Sequence, residues 1–187
     1  SVTHLGFTAK GSCADADVEN LAWIEYDGVQ YNRLTVTPRQ PGRSLSIRYA
    51  LDPKFAKYMN ASAGGQWGAK RTEKIPCGES VVGAFPMMWT GNEEKGLCFF
   101  YQSRANWSAD KAKTYRFEKS GEAFTVTVSI AKGLPAGKPY SVEFGLLATP
   151  MRPLAANHPF NTFNGNSKSA QLNRPYGRPV QDVVLMS

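Results

Sequence analysis

The stretch that decides the fold class is LAWIEYDGVQYNRLTVTP, residues 21–38. The dipeptide Asp27-Gly28 separates two segments rich in β-branched and aromatic residues, which is typical of a β-hairpin. Asp-Gly favours a type I′ turn, in which both central residues have positive φ. In the second arm, Val29, Tyr31, Arg33, Thr35 and Thr37 alternate with Gln30, Asn32, Leu34 and Val36. This period of two predicts a half-buried antiparallel strand.

The same period recurs along the chain. It is clearest in SLSIRYAL (44–51) and FTVTVSI (124–130), and further strands are predicted at VVGAFPMMW (81–89), GLCFFYQS (96–103), TYRFEKS (114–120) and YSVEFGLLAT (140–149). Only DPKFAKYMNAS (52–62) predicts a helix, with Asp52 as N-cap, Pro53 in the first turn and Phe55, Tyr58 and Met59 as an apolar stripe. The sequence therefore predicts an all-β fold, an antiparallel β-sandwich with one short helix.

The composition changes after ATPMRP, residues 148–153. Residues 154–181 are rich in Asn, Pro, Gly and Ser and have no sustained hydrophobic period. We therefore expect a β-sandwich over 1–153 and a long irregular C-terminal tail or linker over 154–187. The apolar residues VVLM (183–186) would form a short edge strand or begin a following domain.

Bulk composition excludes several classes of protein. The 187 residues carry a net charge of +7, but the basic residues are scattered singly, which favours ordinary surface charge over nucleic-acid binding. No apolar run is long enough for a membrane helix. No signal-peptide pattern is present, so Ser1 indicates a processed or engineered start. Cys13, Cys77 and Cys98 allow at most one internal disulfide, and Cys98 is expected to be a core thiol.

Catalytic and metal-binding signatures are not found in the sequence. His4 and His158 lie near opposite ends of the chain, and neither sits in a catalytic motif. Glu93 and Glu94 are adjacent at a predicted hairpin tip, so their side chains point in different directions and do not form a facing acid pair for glycoside hydrolysis. We expect no cofactor and no bound metal.

The tryptophans suggest a contact surface. Trp23 and Trp89 lie within strand patterns and are expected in the core, whereas Trp67 lies in a glycine-rich loop and Trp107 at the end of the predicted hairpin 89–107. Exposed aromatic rings can stack on sugar faces, and they can equally pack within the fold. The residues predicted to contact a ligand or a neighbouring domain are Trp67, Trp107, Tyr101, Glu93 and Glu94.

Four motifs resemble a known family in their order along the chain. They are LAWIEYDGVQYNRLTVTP (21–38), LSIRYALDPKFAKYM (45–59), FPMMWTGNEEKGLCFFYQSRANW (85–107) and VEFGLLATPMRPL (142–154). Together they resemble bacterial proteins similar to the β-N-acetylgalactosaminidases of glycoside hydrolase family 123. The resemblance spans roughly residues 20–154.

The resemblance implies a non-catalytic role. In that family these motifs belong to an N-terminal β-sandwich, and the reaction is carried out by a following barrel with an adjacent Asp-Glu pair. No Asp-Glu dipeptide occurs here, and about three dozen residues after ATPMRP are too few for a barrel. We therefore expect an accessory domain of a secreted, periplasmic or surface protein of a bacterium, whose partners are a following catalytic domain and a glycan.

Two alternatives remain open at this stage. One is a stand-alone carbohydrate-binding module, which would bind a glycan through Trp67 or Trp107. The other is a small independent glycan-cleaving enzyme, which would gather His4 or His158 with Tyr or Glu side chains in a cleft.

Overall fold

The fold is built almost entirely from antiparallel strands. The computed structural model describes residues 4–25, 27–62, 70–75, 78–121 and 123–150. The strands are β1 (His4–Ser12), β2 (Ala16–Glu25), β3 (Gln30–Pro38), β4 (Arg43–Leu51), β5 (Tyr58–Ser62), β6 (Lys70–Lys74), β7 (Gly78–Val82), β8 (Met87–Gly91), β9 (Gly96–Phe100), β10 (Tyr115–Ser120), β11 (Ala123–Leu134) and β12 (Tyr140–Thr149). Two single 3-10 turns, Pro53–Phe55 and Lys111–Lys113, complete the described elements.

These strands form two sheets of unequal size. The large sheet has eight strands in the order β1-β2-β3-β12-β9-β8-β5-β6, and the small sheet has four in the order β4-β11-β10-β7. All pairings within both sheets are antiparallel. The arrangement confirms the predicted all-β sandwich.

The main core lies between the two sheets. The small sheet contributes Phe117 from β10 and Phe124, Val126 and Val128 from β11, all at most 1% exposed. The inner face of the large sheet contributes Met88 and Phe99, both fully buried. Phe99 stacks on Phe144 with ring centroids 5.4 Å apart and meets Tyr115 edge-on at 6.2 Å. Such offset and edge-to-face aromatic contacts stabilise the packing beyond the area they bury.

The alternation seen in the sequence matches the two faces of the strands. In β4, Leu45, Ile47, Tyr49 and Leu51 are half-buried, whereas the residues between them are exposed. In β9 both faces of the strand are covered, because Phe99 and Cys98 point to opposite faces and are both buried. Cys98 is a core thiol as expected, and neither Cys98 nor the exposed Cys13 is in a disulfide.

The predicted helix over 52–62 is wrong beyond its first turn. Asp52 does cap a turn, since its side chain accepts a hydrogen bond from the Lys54 N–H at 3.1 Å, and Pro53 follows it as predicted. The chain then enters β5, in which Met59 pairs with Thr90 of β8. Sheet pairing on both sides of β5 therefore overrides a local helix signal that rests on three apolar residues.

Two further local predictions need correction. The β2–β3 hairpin is present, but its turn is not type I′, because Gly28 has a φ of 94° whereas Asp27 does not have positive φ. Asp27 instead accepts a hydrogen bond from the Val29 N–H through its side chain. The strand predicted over 81–89 is divided between β7 in the small sheet and β8 in the large sheet. Pro86, which has no N–H to donate, lies at the division.

Residues 151–187 lie outside the described residues, so the predicted boundary near residue 153 and the irregular tail stay predictions. Within the described ranges, no helix is long and apolar enough to cross a membrane.

Candidate functional site

The tip of the β8–β9 hairpin holds both predicted acids. Asn92 organises it, since its side-chain oxygen accepts hydrogen bonds from the N–H groups of Glu94 and Lys95, each at 2.8 Å. Glu93 turns toward β5 and accepts hydrogen bonds from Lys57 at 2.5 Å and from the Tyr58 hydroxyl at 3.0 Å. The structure therefore does not place Glu93 and Glu94 as a pair that could contact the same ligand.

The charge on Glu93 is held by its neighbours. The hydrogen bond from Lys57 is the main reason that the pKa of Glu93 falls to about 2, and the Tyr58 hydroxyl contributes further. The same contact raises the pKa of Lys57. Both side chains are more than half exposed, so water and salt screen the pair. Glu93 fastens the hairpin tip to the chain around Lys57, whereas the exposed Glu94 has no ion-pair partner among the described side chains.

Tyr101 and Trp107 do come together, but not on the hairpin. β9 ends at Phe100, and Trp107 lies in the connection that leads from the large sheet to β10 in the small sheet. The two rings lie 4.6 Å apart, centroid to centroid, and Trp107 packs against the main core. The prediction that Trp107 closes a hairpin strand is therefore wrong. Trp67 lies outside the described residues, so its predicted role stays untested.

The outer face of the large sheet carries an aromatic row that was not predicted. Register places one residue from each of six neighbouring strands in a line across the sheet: Gly6, Trp23, Tyr31, Gly145, Phe100 and Met87. Trp23 stacks on Tyr31 at 5.4 Å, and Tyr31 meets Phe100 edge-on at 5.7 Å. The row is half-buried, and it borders a second apolar cluster formed by Val29, Cys98 and Leu147.

Glycines lie beneath two of the rings on the outer face, Phe100 and Trp89. The ring of Phe100 lies directly over Gly145, where a Cβ would overlap it. The indole of Trp89 lies over Gly91 and Gly96, and a Cβ at Gly96 would come within 2.5 Å of it. Trp89 also donates a hydrogen bond from its indole N–H to the Thr149 hydroxyl at 3.0 Å. Trp89 and Trp23 therefore both lie on the outer face of the large sheet, and the prediction that they belong to the core between the sheets is wrong.

A shallow polar cleft of about 440 Å³ continues the same outer face across β1, β2 and β3. Its walls include Lys10, Glu19, Asp17 and Thr37. Lys10 pairs with Glu19 at 3.4 Å, and Arg39 pairs with Asp17 at 2.7 Å. The cleft thus offers hydrogen-bond donors and acceptors beside the aromatic row. Its two acids, Glu19 and Asp17, are each paired with a basic side chain. In the described parts of the chain, no group of three His, Cys, Asp or Glu side chains could hold a metal ion.

Sequence periodicity could have placed Trp23 and Tyr31 on the same side of their strands, but not beside Phe100. Trp23 and Tyr31 are close in the chain and pair within the β2–β3 hairpin, whereas Phe100 is distant in the sequence and joins the row only through the strand order β3-β12-β9. The signal available in the sequence was Gly145, a glycine inside a strongly alternating strand, which often marks a close approach of another group.

Antiparallel two-sheet packing defines the class of fold, an all-β sandwich. No protein-family profile matches the chain, and no curated protein matches it. Among solved structures, the chain is similar to one named "Putative kojibiose phosphorylase from human microbiome", with 10% sequence identity and a TM-score of 0.34. That similarity covers 78% of this chain but 17% of the other protein, so this chain spans about a sixth of its length.

Proposed function

We propose that this chain is a non-catalytic accessory β-sandwich of a carbohydrate-active bacterial protein, acting outside the cytoplasm beside a catalytic barrel. The observation that carries the proposal is the apolar outer face of the large sheet. In a two-layer sandwich the outer face of an antiparallel sheet is normally polar, because it meets water. Here its centre holds the half-buried row of Trp23, Tyr31, Phe100 and Met87 and the buried cluster around Cys98.

The chemistry of this face suits contact with another folded domain. The Phe100 and Trp89 rings are packed over glycines, so they would lose little side-chain freedom on binding. An exposed ion pair between Arg33 and Glu143, joined at 2.8 Å, lies next to the row and gives it a polar border. An apolar centre with a polar rim is the usual anatomy of a protein interface. The partner proposed for this face is a glycosidase barrel, because the sequence resembles the β-sandwiches that precede such a barrel in glycoside hydrolase family 123.

Co-purification tests this proposal. The protein would be expressed together with the catalytic barrel encoded in the same gene or operon, and the fraction of barrel retained would be measured. We expect the Trp23→Ala, Tyr31→Ala double variant to reduce retention at least tenfold. Phe7→Ala is the matched control, because Phe7 is 43% exposed but points to the opposite face of the sheet. Equal retention for all three proteins, or glycosidase turnover by the chain alone, would contradict the proposal.

A second function, glycan binding by the chain itself, is favoured by one observation. The Trp23–Tyr31 pair lies on the same face as the polar cleft that contains Lys10, Glu19 and Thr37, so aromatic stacking area and hydrogen-bonding groups occur together. A glycan array with the purified chain separates the two functions. Binding that is lost on Trp23→Ala and retained on Phe7→Ala would favour a carbohydrate-binding module.

A further inference from the structure

A cluster of hydrogen-bond donors lies within the connection between β9 and β10. In this connection, which runs from residue 101 to 114, Arg104 and Trp107 belong to one tight turn, since the Trp107 backbone N–H donates to the Arg104 carbonyl at 2.9 Å. The guanidinium carbon of Arg104 lies 4.9 Å from the centroid of the Trp107 ring. The Tyr101 ring packs against the same indole.

The donors in this cluster are buried and unpartnered. The three guanidinium nitrogens of Arg104 and the indole nitrogen of Trp107 are shielded from solvent, and none makes a hydrogen bond of standard geometry to a described residue. No described carboxylate lies within ion-pair distance of Arg104. A buried guanidinium without an acceptor is strongly unfavourable, because its charge has lost water and gained nothing in exchange.

The hydrogen-bonding chemistry of Arg104 and Trp107 indicates which kind of ligand they could bind. Arginine and the tryptophan indole can only donate hydrogen bonds, and arginine remains charged at any ordinary pH. They differ in this from the buried hydroxyls of Tyr49 and Thr90, which also have no partner but can each donate or accept. Rotating a hydroxyl can satisfy that pair, whereas the five N–H groups of Arg104 and the one of Trp107 need more acceptors than the Tyr101 hydroxyl supplies.

The Tyr101 hydroxyl lies beside Arg104, where its oxygen can accept one guanidinium N–H and its proton stays available to donate to a ligand. Burial raises the pKa of the Tyr101 hydroxyl, and the positive charge of Arg104 partly offsets that rise. The same charge also acts on Tyr115, whose pKa burial raises. Both hydroxyls are therefore close enough to Arg104 to be affected by its charge.

We propose that Arg104, Trp107 and Tyr101 form a binding site for a carboxylate group. A carboxylate matches the planar fork of the guanidinium with two parallel hydrogen bonds and has acceptor capacity left for the indole N–H. Gln102, Ser103, Ala105 and Asn106, which flank Arg104 and Trp107 in the sequence, are exposed, and a ligand would approach from their side. The proposal does not rest on the accessory function, although an acidic sugar is one natural source of the carboxylate.

Thermal unfolding with added anions tests the site. Sodium acetate and sodium glucuronate would be compared with sodium chloride at equal ionic strength and with glucose as the neutral sugar. We expect both carboxylates to raise the Tm of the wild-type protein by about 3 °C or more near saturation, and glucose and chloride to have no such effect. A larger rise with glucuronate than with acetate would identify an acidic sugar, and equal rises a simple organic acid.

Two variants make the test specific. Arg104→Met keeps most of the side-chain volume and should abolish the rise, whereas Arg48→Met, which removes an exposed arginine of β4, should retain it. Trp107→Phe keeps an aromatic ring at this position and removes the indole N–H, so we expect weaker but measurable binding. It also assigns the indole ¹H–¹⁵N resonance of Trp107 in the wild type, which should shift on titration with either carboxylate.

The outcomes against the proposal are equally defined. A Tm that rises no more with carboxylates than with chloride, or that rises equally in Arg104→Met, would overturn it. If Arg104→Met does not fold, an unmoved Trp107 indole resonance in the wild-type titration would do so independently.

Discussion

At the scale of single residues, Gly145 has a structural role that its place in a strand does not suggest. It lies between Tyr31 and Phe100 in the register of the large sheet, and the Phe100 ring occupies the space where a Cβ would be. We predict that Gly145→Ala destabilises the protein by about 2–3 kcal/mol, because the ring must leave its position in the row. Urea unfolding would measure the change.

Two comparisons show whether the effect is steric. Gly11→Ala in β1 is the matched control, since a Cβ there meets nothing within 4 Å, and it should be nearly neutral. Phe100→Ala should itself be destabilising, but adding it to Gly145→Ala should cost less than the sum of the two single changes. Additive losses would contradict the steric explanation.

Glu93 provides a prediction about pH. Its folded-state pKa of about 2 lies below the usual value of 4.5, so its contact with Lys57 stabilises the fold above about pH 4.5. That contribution is lost as the pH falls from 4.5 to about 2. We therefore predict that the difference in unfolding free energy between wild type and Glu93→Gln shrinks over this range. Unfolding series at successive pH values would measure it.

The neighbouring acid is the control for this pH effect. Glu94→Gln makes the same change in charge one residue away, at an exposed side chain that does not contact Lys57. Its pH profile of stability should follow that of the wild type. Because the Glu93 pair is more than half exposed, 1 M salt should weaken the effect, and a profile unaffected by salt would argue against a screened surface pair.

The alternation in the sequence predicted which face of a strand each side chain occupies. It did not predict which side chains from different strands or connections would be in contact. The alternation in β3 and β4 was correct because it depends only on the local period of two. The pairing of Tyr101 with Trp107, and the shortage of acceptors for Arg104 among the described residues, depend on how one connection folds against two sheets. No local signal in the sequence carries that information.

At the scale of elements, the β8–β9 hairpin depends on one turn residue. The Asn92 side-chain oxygen accepts hydrogen bonds from the backbone N–H groups of Glu94 and Lys95. The backbone N–H of Asn92 donates to the Lys95 carbonyl. We predict that Asn92→Ala destabilises the protein by about 1 kcal/mol, because two backbone donors lose their acceptor. Asn92→Asp keeps an acceptor oxygen and should lose less. Urea unfolding that ranks Asn92→Asp as the worse change would contradict this account.

The segment 52–59 shows why one element was predicted incorrectly. Asp52 and Pro53 begin a helical turn as the sequence indicated, and that turn is present. A helix needs favourable packing along several turns, whereas Tyr58 and Met59 gain hydrogen bonds to β6 and β8 by extending. The sequence therefore predicted the first turn at Asp52 and Pro53 correctly. Whether the chain continued as a helix or as a strand depended on pairing with β6 and β8.

At the scale of the whole β-sandwich, the two sheets do not match in width. The four strands of the small sheet bury the inner face around Phe99 and Met88, while β1 at the far edge of the large sheet is exposed along Leu5–Ser12. Leu5 is 66% exposed and Phe7 43% exposed. β1 is thus held mainly by its backbone pairing with β2, with little burial to support it.

This asymmetry predicts an uneven local stability that native-state hydrogen exchange can measure. Opening β1 breaks one ladder and exposes little new apolar surface, so its amides should exchange by local opening at a free energy well below that of global unfolding. β11 pairs with strands on both sides and holds the fully buried Phe124, Val126 and Val128, so its amides should exchange only through global unfolding. In mild denaturant, exchange from β11 should therefore follow the urea dependence of unfolding, while exchange from β1 should be nearly independent of it. If the amides of β1 were protected as strongly as those of β11, another surface would have to cover β1 in solution, and the β1–β2 pairing alone would not account for its stability.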